Sequence, residues 1–291
     1  MMKLISLLFS FVLMSDSVNA AVSQTEPKEQ AKPTIIALAP HIVEMLYAVG
    51  AGAQIIGTTA FADYPEAATD IPRIGSYIRL QLERVIELQP DVIIAWKSGN
   101  PSDDLARLQQ LGFNIVYSQP ETFRDIAQEV RTFANISGHS EQGERVAQKF
   151  ETELAQITQF YQDKVEIIGF YELWSRPLTT VAKGSWPQQF LNICRVKNPF
   201  EAVLTPYPQI SIERVLPASI QVIIQPISEN QKEREAFNWH DWPIIPAVVN
   251  KHIIQPDADA MHRMSLRSLT ALKDLCVEID QTRTILQQKH R

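Results

Sequence analysis

Two glutamates stand at matching points of a repeated segment, and their spacing suggests a contact with a symmetric partner. Residues 82–94 read LERVIELQPDVII and residues 212–224 read IERVLPASIQVII, so both begin apolar-Glu-Arg-Val and end in an apolar β-branched run. Self-similarity at one large offset predicts two lobes built on one plan. Glu83 and Glu213 would then form a pseudo-symmetric carboxylate pair, which a two-fold symmetric, basic partner would recognise. The alternative is that each glutamate merely complements the positive end of its own short helix.

Aromatic side chains mark strand ends and loops at which a ligand could bind. Trp96 ends a predicted strand, and Tyr207 lies between two prolines in an extended loop, so neither fits a core position. Flat aromatic walls with few charges suit a large, planar, amide-bearing ligand. Ordinary core packing is the alternative, and we adopt it for Tyr64 and Trp186. The aromatic and polar candidates for a cleft are Phe61, Tyr64, Tyr77, Trp96, Trp174, Trp186, Tyr207, Asp259, His262 and Arg263.

The sequence offers little for catalysis, a resident metal or nucleic-acid binding. It lacks the Gly-x-Ser-x-Gly, Walker, Gly-x-Gly-x-x-Gly and His-Glu-x-x-His motifs, and a hydrolase would need a nucleophile–base pair that these patterns do not supply. The six histidines are scattered, which weakens a metal site, although ligands can converge in a fold. His41, after Pro40 at a predicted helix start, could face the cleft or simply cap the helix. The formal net charge of −6 argues against nucleic acid as a partner. We therefore expect no enzyme, and no resident cofactor or metal.

The N-terminus predicts export from the cytoplasm. Lys3 precedes an eleven-residue apolar run, and small residues follow it up to a cleavage site before Ala21, so residues 1–20 read as a signal peptide. The apolar run is too short to cross a bilayer, which needs about 20 residues. No cysteine follows it, so we expect no lipid anchor. Residues 21–33 are polar and aperiodic, which indicates a disordered leader. The mature chain is expected to be a soluble, monomeric periplasmic protein.

The chain contains two cysteines, Cys194 and Cys276. In an oxidising compartment, an even pair is most simply one disulfide. Both residues fall in the second half of the chain, so the bridge would staple that half internally. Two buried free thiols are the alternative.

Strand and helix signals alternate along residues 34–138. Short apolar runs at residues 35–38, 55–59, 92–96 and 113–117 predict strands, and helical spacing appears at 41–49 and at 105–111. Strands that alternate with helices of this length predict β-α units and a mostly parallel sheet. Residues 34–138 are therefore expected to form an N-terminal α/β lobe.

A single long helix is predicted over residues 139–164, with Ser140 as its N-cap and an apolar stripe at three- and four-residue steps. At about 25 residues it would be about 37 Å long, enough to brace two lobes. Residues 165–291 would form the C-terminal α/β lobe, with a strand at 165–171, a helix at 187–194, extended pieces at 242–249 and 252–254, and a terminal helix at 264–286. The predicted fold class is α/β, with two Rossmann-like lobes joined by one long backbone helix and a ligand cleft between them.

Four segments resemble the helical-backbone substrate-binding proteins of bacterial ABC importers. They are residues 39–47 (APHIVEMLY), 63–67 (DYPEA), 82–93 (LERVIELQPDVI) and 246–251 (PAVVNK), and the likeness covers nearly all of residues 34–285. The resemblance implies two lobes on one rigid helix, little closure on ligand binding, no catalysis, and delivery of the ligand to a permease dimer in the inner membrane. It also implies that Glu83 and Glu213 dock onto arginines of the two permease subunits.

Within that family the chain is most similar to the cobalamin-binding members, which implies a corrinoid ligand. Residues 95–100 (AWKSGN) resemble their AWRGGN segment, 206–211 (PYPQIS) resemble PWPQVS, and 259–263 (DAMHR) stand in place of a ligand-contacting DWFER stretch. Phe61 and Tyr77 stand where these relatives have a ligand-contacting Tyr and Trp. Aromatic residues would wall the corrin, and Asp259 and Arg263 would bond its amides. The implied ligand-binding set is Phe61, Tyr77, Trp96, Tyr207, Asp259, Ala260, Met261, His262 and Arg263.

The chain also departs from the cobalamin-binding pattern. Phe61, Tyr77 and Tyr207 keep aromatic character but change shape and hydrogen bonding. Residues 245–250 (IPAVVN) are closer to the wider family, whose members also carry haem and iron–siderophores. A haem or ferric-siderophore carrier, with His41 or a tyrosine on the iron, is therefore the alternative ligand class. An exported hydrolase is the alternative from another class of function.

Overall fold

The computed structural model describes residues 32–228 and 237–289. The predicted signal peptide and almost all of the predicted leader lie outside the described residues. None of the described helices is both long and apolar enough to cross a membrane.

The first lobe is built on a parallel four-stranded sheet. Its strands are β1 (Ile35–Ala37), β2 (Ile55–Thr58), β3 (Val92–Trp96) and β4 (Ile115–Ser118), in the order β2-β1-β3-β4. Its helices are α1 (Pro40–Ala48), α2 (Leu82–Leu88), α3 (Ser102–Gln110) and α4 (Phe123–Ile136). All four strands and the helices α1 and α3 match the predicted ranges to within a few residues, and α2 is the short helix of the repeated segment, whereas α4 was not predicted. A capping box formed by Thr122 and Asp125 starts α4.

The long helix α5 runs from Ser140 to Tyr161, a length of 22 residues or about 33 Å. The prediction of Ser140 as its N-cap is wrong, because Ser140 is already helical and His139 occupies the cap position. The helix packs closely on α4, since a Cβ at Gly143 would lie 2.1 Å from Ala134 Cβ. Glycine at this position therefore permits the close approach of the two helices.

The second lobe contains a second parallel sheet. Its strands are β5 (Ile167–Tyr171), β8 (Val196–Lys197), β9 (Val222–Ile224) and β10 (Ile253–Ile254), in the order β10-β9-β5-β8, and β6 (Trp174–Ser175) pairs with β7 (Leu178–Thr179) as a hairpin. Its helices are α6 (Gln188–Ile193), α7 (Ile212–Val215), α8 (Pro246–Val249), α9 (Ala258–His262) and α10 (Arg267–Lys289). The extended piece predicted at 242–249 is wrong, because Pro246 begins the helical turn α8.

The two lobes share one strand order, as the repeated segment predicted. In the first sheet, β1 lies between β2 and β3, and β4 lies outside β3. In the second sheet, β5 lies between β8 and β9, and β10 lies outside β9, so β5, β8, β9 and β10 correspond to β1, β2, β3 and β4. The repeated segment supplies the third strand and its preceding helix, namely α2 with β3 and α7 with β9. The correspondence extends to single residues, since Val85 and Val215 are fully buried and Gln89 and Ser219 both adopt the left-handed conformation.

A disulfide joins Cys194, at the end of α6, to Cys276 in α10, with the two Cα atoms 4.9 Å apart. Both cysteines are fully buried. The predicted pairing is thus confirmed, and the bridge lies entirely within the second lobe.

Candidate ligand-binding cleft

A cavity of about 480 Å³ lies between the two lobes. Trp96 and Gln119 line it from the first lobe, and Trp186, Tyr207 and His262 line it from the second. Trp96 is the last residue of β3, and Gln119 follows the end of β4. The cavity therefore lies at the carboxyl edge of the first sheet, where open α/β sheets bind their ligands.

The indole of Trp96 is held in place by the turn that follows β3. The Trp96 backbone N–H donates to Asn100 Oδ1 at 2.7 Å, and Asn100 Nδ2 donates to the Leu38 carbonyl at 2.8 Å. The ring folds back over Gly99, where a Cβ would lie 1.8 Å from Trp96 Cε3. Residue 99 must therefore be glycine for the indole to adopt this position.

His41 supports the same wall from inside the first lobe. Its ring is 3% exposed and packs edge-on against Trp96, with the ring centroids 5.5 Å apart. Its Nε2 lies 2.9 Å from Ser118 Oγ. Burial lowers the pKa of His41 to about 3, so its imidazole is neutral at physiological pH. The structure places this residue in the core beside the cleft wall, and not on the cleft surface where an iron ligand would stand.

The polar groups behind the wall do not form a nucleophile–base pair. The Ser118 hydroxyl is fully buried and donates to Glu129 Oε2 at 2.6 Å, so its proton points away from His41. Glu129 Oε1 accepts the Gln119 backbone N–H at 2.7 Å, which fixes the end of β4. Burial raises the pKa of Glu129 despite these hydrogen bonds. The arrangement is suited to positioning Gln119 and not to activating a serine.

The second wall comes from loops of the second lobe. Tyr207 is half exposed, and the backbone on either side of it is tied down where Ala182 N–H donates to the Pro206 carbonyl and Thr180 N–H to the Pro208 carbonyl. Trp186 is mostly buried, and its Nε1–H donates to the Met261 carbonyl at 2.8 Å.

His262 is a neutral group within this wall. Its Nε2 lies 2.9 Å from the Tyr171 hydroxyl. Burial lowers the pKa of His262 to about 4, against the opposing effect of Asp257.

The structure brings some of the predicted site residues together and leaves others apart. Trp96, Tyr207 and His262 line the cavity, whereas Phe61 and Tyr77 are more than 60% exposed and lie outside its lining. Asp259 and Ala260 are partly exposed on α9, a short helix that was not predicted. The Met261 side chain is fully buried, so it supports the cleft and does not face it. Trp174 is also exposed outside the cavity lining.

The core position predicted for Tyr64 is wrong. Its side chain is 47% exposed, and the guanidinium of Arg267 lies 4.2 Å from the ring centroid. Trp186 keeps its predicted buried position, although one edge reaches the cavity.

A buried carboxylate that the sequence analysis missed connects the two lobes. Glu44 lies on α1 of the first lobe, and its side chain is 3% exposed. It accepts hydrogen bonds from Arg267 at 2.7 and 3.0 Å, from Arg263 at 3.3 Å and from the Ser265 hydroxyl, all of them in the second lobe. Opposite charges in such a poorly solvated position interact much more strongly than they do at the surface.

Further carboxylates surround the same arginines. Asp63 of the first lobe accepts from Arg263 Nη1 at 2.6 Å, Asp259 pairs with Arg263 at 3.2 Å, and Asp257 lies 3.9 Å from Arg267. Desolvation raises the pKa of Asp63, but the hydrogen bond and charge of Arg263 outweigh it and leave that pKa below its usual range. We call this set the interlobe cluster. It consists of Glu44, Asp63, Asp257, Asp259, Arg263 and Arg267.

The repeated glutamates occupy equivalent exposed positions in the two lobes. Glu83 is the second residue of α2 and Glu213 is the second residue of α7. A helix that leads into a parallel strand runs opposite to it, so each glutamate lies at the carboxyl edge of its own sheet. A hydrogen bond from Ser211 lowers the pKa of Glu213, which keeps this exposed group ionised.

Comparison with known proteins gives a family match over most of the chain. A family model described as "Periplasmic binding protein" matches residues 35–260. A vitamin B12-binding protein of Vibrio vulnificus strain CMCP6 is 36% identical over 277 residues, which is 95% of this chain and 96% of that protein. A vitamin B12-binding protein of Yersinia pseudotuberculosis is 30% identical over 90% of this chain and 91% of its own length.

Solved structures show the same fold. The crystal structure of the periplasmic vitamin B12-binding protein BtuF of Vibrio cholerae has a TM-score of 0.78 and 34% identity, and the match covers 87% of this chain and 98% of that chain. The periplasmic haem-binding protein BhuT, solved with two haems, has a TM-score of 0.76 at 15% identity, over 86% of this chain and 99% of that chain. At that identity the second likeness concerns the fold alone.

Proposed function

This chain belongs to the periplasmic binding protein family, and on that premise we propose that it captures cobalamin or a related corrinoid between its lobes. Vitamin B12-binding proteins that match nearly the whole chain at 30–36% identity support this ligand class. The haem-binding relative supports the fold without supporting haem as the ligand.

The observation that carries the proposal is the composition of the interlobe cavity. Trp96 and Tyr207 face it from opposite lobes, which suits a flat, largely apolar macrocycle. Gln119 also lines it, and among the described residues its Oε1 atom is a buried acceptor without a hydrogen-bond donor. A buried polar atom without a partner costs free energy, so a ligand N–H group that reaches it would be favoured. The periphery of a corrin carries primary amides, which supply such donors.

The proposed ligand-binding residues are the members of the predicted set whose side chains are at least partly exposed, together with Gln119. They are Phe61, Tyr77, Trp96, Gln119, Tyr207, Asp259, Ala260, His262 and Arg263. Phe61 and Tyr77 are accessible enough to close over a ligand larger than the cavity itself. Ala260 and Asp259 would contribute from α9. We leave the buried Met261 side chain out of the contact set.

A side-by-side titration tests the ligand class. Purified mature protein is titrated calorimetrically with cyanocobalamin, haem and a ferric hydroxamate siderophore. Saturable binding of cyanocobalamin with one site per chain is expected, and Trp96→Ala should weaken it. Absence of heat with cyanocobalamin up to sub-millimolar concentration would reject the proposal. A Soret band on the purified protein would favour haem instead.

We further propose that Glu83 and Glu213 dock the protein onto an ABC importer permease. Their equivalent positions on α2 and α7 support recognition by a partner with two-fold symmetry. Truncating one partner of a desolvated charge pair typically costs about 2–5 kcal/mol, against under about 1 kcal/mol for an exposed pair.

The double variant Glu83→Ala/Glu213→Ala tests the docking role. It should bind cyanocobalamin as the wild type does, yet associate weakly with the cognate permease in detergent and support little uptake. Glu141→Ala/Glu153→Ala is the charge-matched control, because both glutamates are exposed and lie on α5, outside α2 and α7. Wild-type uptake by the double variant would remove Glu83 and Glu213 from the interface.

We also propose that the chain is exported to the periplasm as a monomeric carrier without enzymatic activity. The family match and the sequence of residues 1–20 support export. Mass spectrometry of the protein purified from the periplasm should give a mature chain that starts at Ala21. Recovery of the full-length chain from the cytoplasm would contradict it.

A further inference from the structure

The interlobe cluster is mainly acidic, and its two arginines are already paired. In the interlobe cluster, four carboxylates surround two guanidinium groups and leave a formal surplus of two negative charges. Arg263 contacts three of these carboxylates, and its side chain is only 12% exposed. Arg263 and Arg267 are therefore poor partners for an incoming anion, because each would first have to leave a carboxylate.

The cavity lining itself offers no compensating positive charge. Among the described residues that line it, Glu121 carries the one charged side chain. His262 also lines it but is neutral, as its lowered pKa requires. The exposed Lys97 and Lys183 are sequence neighbours of lining residues, and neither lines the cavity.

We propose that the interlobe cluster makes the cleft select its ligand by charge. The cleft accepts macrocycles whose peripheral groups are neutral amides, and it disfavours the same macrocycle when those groups are carboxylates. This inference rests on the proposed corrinoid-binding function and deepens it. It makes Asp63 and Asp257 specificity-determining residues although neither is in the proposed contact set.

The physical basis is repulsion between like charges that water screens poorly. Charges separated by less than the Debye length, about 8 Å at physiological salt, interact without much screening, and partial burial reduces the screening further. The cluster is adjacent to the cavity through one of its members, since Arg263 lies in the chain between the lining residues His262 and Met264. Discrimination by an unfavourable charge is a common route to specificity between similar ligands.

The test compares cyanocobalamin with its monocarboxylic acids, in which hydrolysis has converted one peripheral amide to a carboxylate. Calorimetric titration of the wild type should give roughly tenfold weaker binding of the acids, a factor equal to about 1.4 kcal/mol. The difference should shrink at high salt. The variant Asp63→Asn/Asp257→Asn removes the surplus negative charge. Its affinity for the acids should rise until most of the difference from cyanocobalamin is lost, while its affinity for cyanocobalamin changes little. Glu141→Gln/Glu153→Gln makes the same charge change on the exposed face of α5 and should retain the wild-type discrimination.

Two outcomes would overturn this inference. One is equal affinity of the wild type for cyanocobalamin and its acids. The other is undiminished discrimination in Asp63→Asn/Asp257→Asn. A protein that binds none of these compounds would instead reject the proposed function. If the double variant proves unstable, Asp63→Asn alone, at a side chain that is 44% exposed, should still reduce the discrimination.

Discussion

Replacement of Glu44 by glutamine should destabilise the protein more than any other single loss of charge in the first lobe. The carboxylate is almost fully buried and is shared by Arg263, Arg267 and Ser265 of the second lobe. Removing one partner of a buried ion pair typically costs about 3–5 kcal/mol, because the opposite charge stays buried and unpaired. For a chain of this size, a loss of about 1 kcal/mol in the free energy of unfolding lowers the melting temperature by roughly 2–4 °C. Glu44→Gln should therefore lower it by roughly 6–20 °C.

Differential scanning calorimetry measures this effect, and two further variants identify its origin. The control Glu153→Gln removes an exposed carboxylate that lies 3.8 Å from Lys149, and it should lower the free energy of unfolding by under about 1 kcal/mol. If unpaired Arg267 causes the loss, Glu44→Gln/Arg267→Gln should be less destabilised than the two single effects predict together. A Glu44→Gln melting temperature within 2 °C of the wild type would refute the view that the interlobe cluster holds the lobes together.

Three further predictions concern the disulfide, the Trp96 wall and acid stability. Cys194→Ala/Cys276→Ala opens a loop of 82 residues and should lower the free energy of unfolding by up to about 4–5 kcal/mol, as measured by equilibrium denaturation. An unchanged denaturation midpoint would show that the disulfide does not stabilise the fold. Gly99→Ala should displace the indole of Trp96, shift its fluorescence and weaken cyanocobalamin binding, whereas an unaltered spectrum would contradict the contact with Gly99. The folded-state pKa of His41, about 3, lies below the unfolded value of about 6.5. Between pH 6.5 and pH 3 the imidazole is therefore protonated in the unfolded chain and neutral in the folded chain. The free energy of unfolding falls as the pH falls through this range. The loss at pH 5 should be about 2 kcal/mol, and His41→Gln should reduce the pH dependence measured between pH 7 and pH 5.

The sequence predicted the framework well, because its signals are local. Short apolar runs gave β1 to β4 and β5, and the repeated segment gave the shared plan of the two lobes. The missed helix α4 also has a local signal, since Thr122 and Asp125 form its capping box and its buried positions recur at helical spacing. By contrast, the β-branched residues around Val248 favour a strand, whereas Pro246 starts a helical turn there, and Val248 packs in a buried cluster with Phe170 and Trp239.

The candidate site could be predicted only in part, because much of it depends on contacts between distant residues. Trp96 and Tyr207 stood out as aromatic residues at a strand end and in a proline-flanked loop, and both line the cavity. The interlobe cluster left no such signal, since Glu44 and Arg263 are 219 residues apart and Glu44 lies within the buried face of α1. The lowered pKa values of His41 and His262 likewise arise from burial that only the folded chain provides.

A crystal structure of the mature protein grown with cyanocobalamin would show where the ligand binds. We expect a corrin ring between Trp96 and Tyr207, with Glu83 and Glu213 exposed at the carboxyl edges of the two sheets. A corrin bound elsewhere on the surface, or an interlobe cavity that stays closed to it, would show that this protein does not capture cobalamin between its lobes.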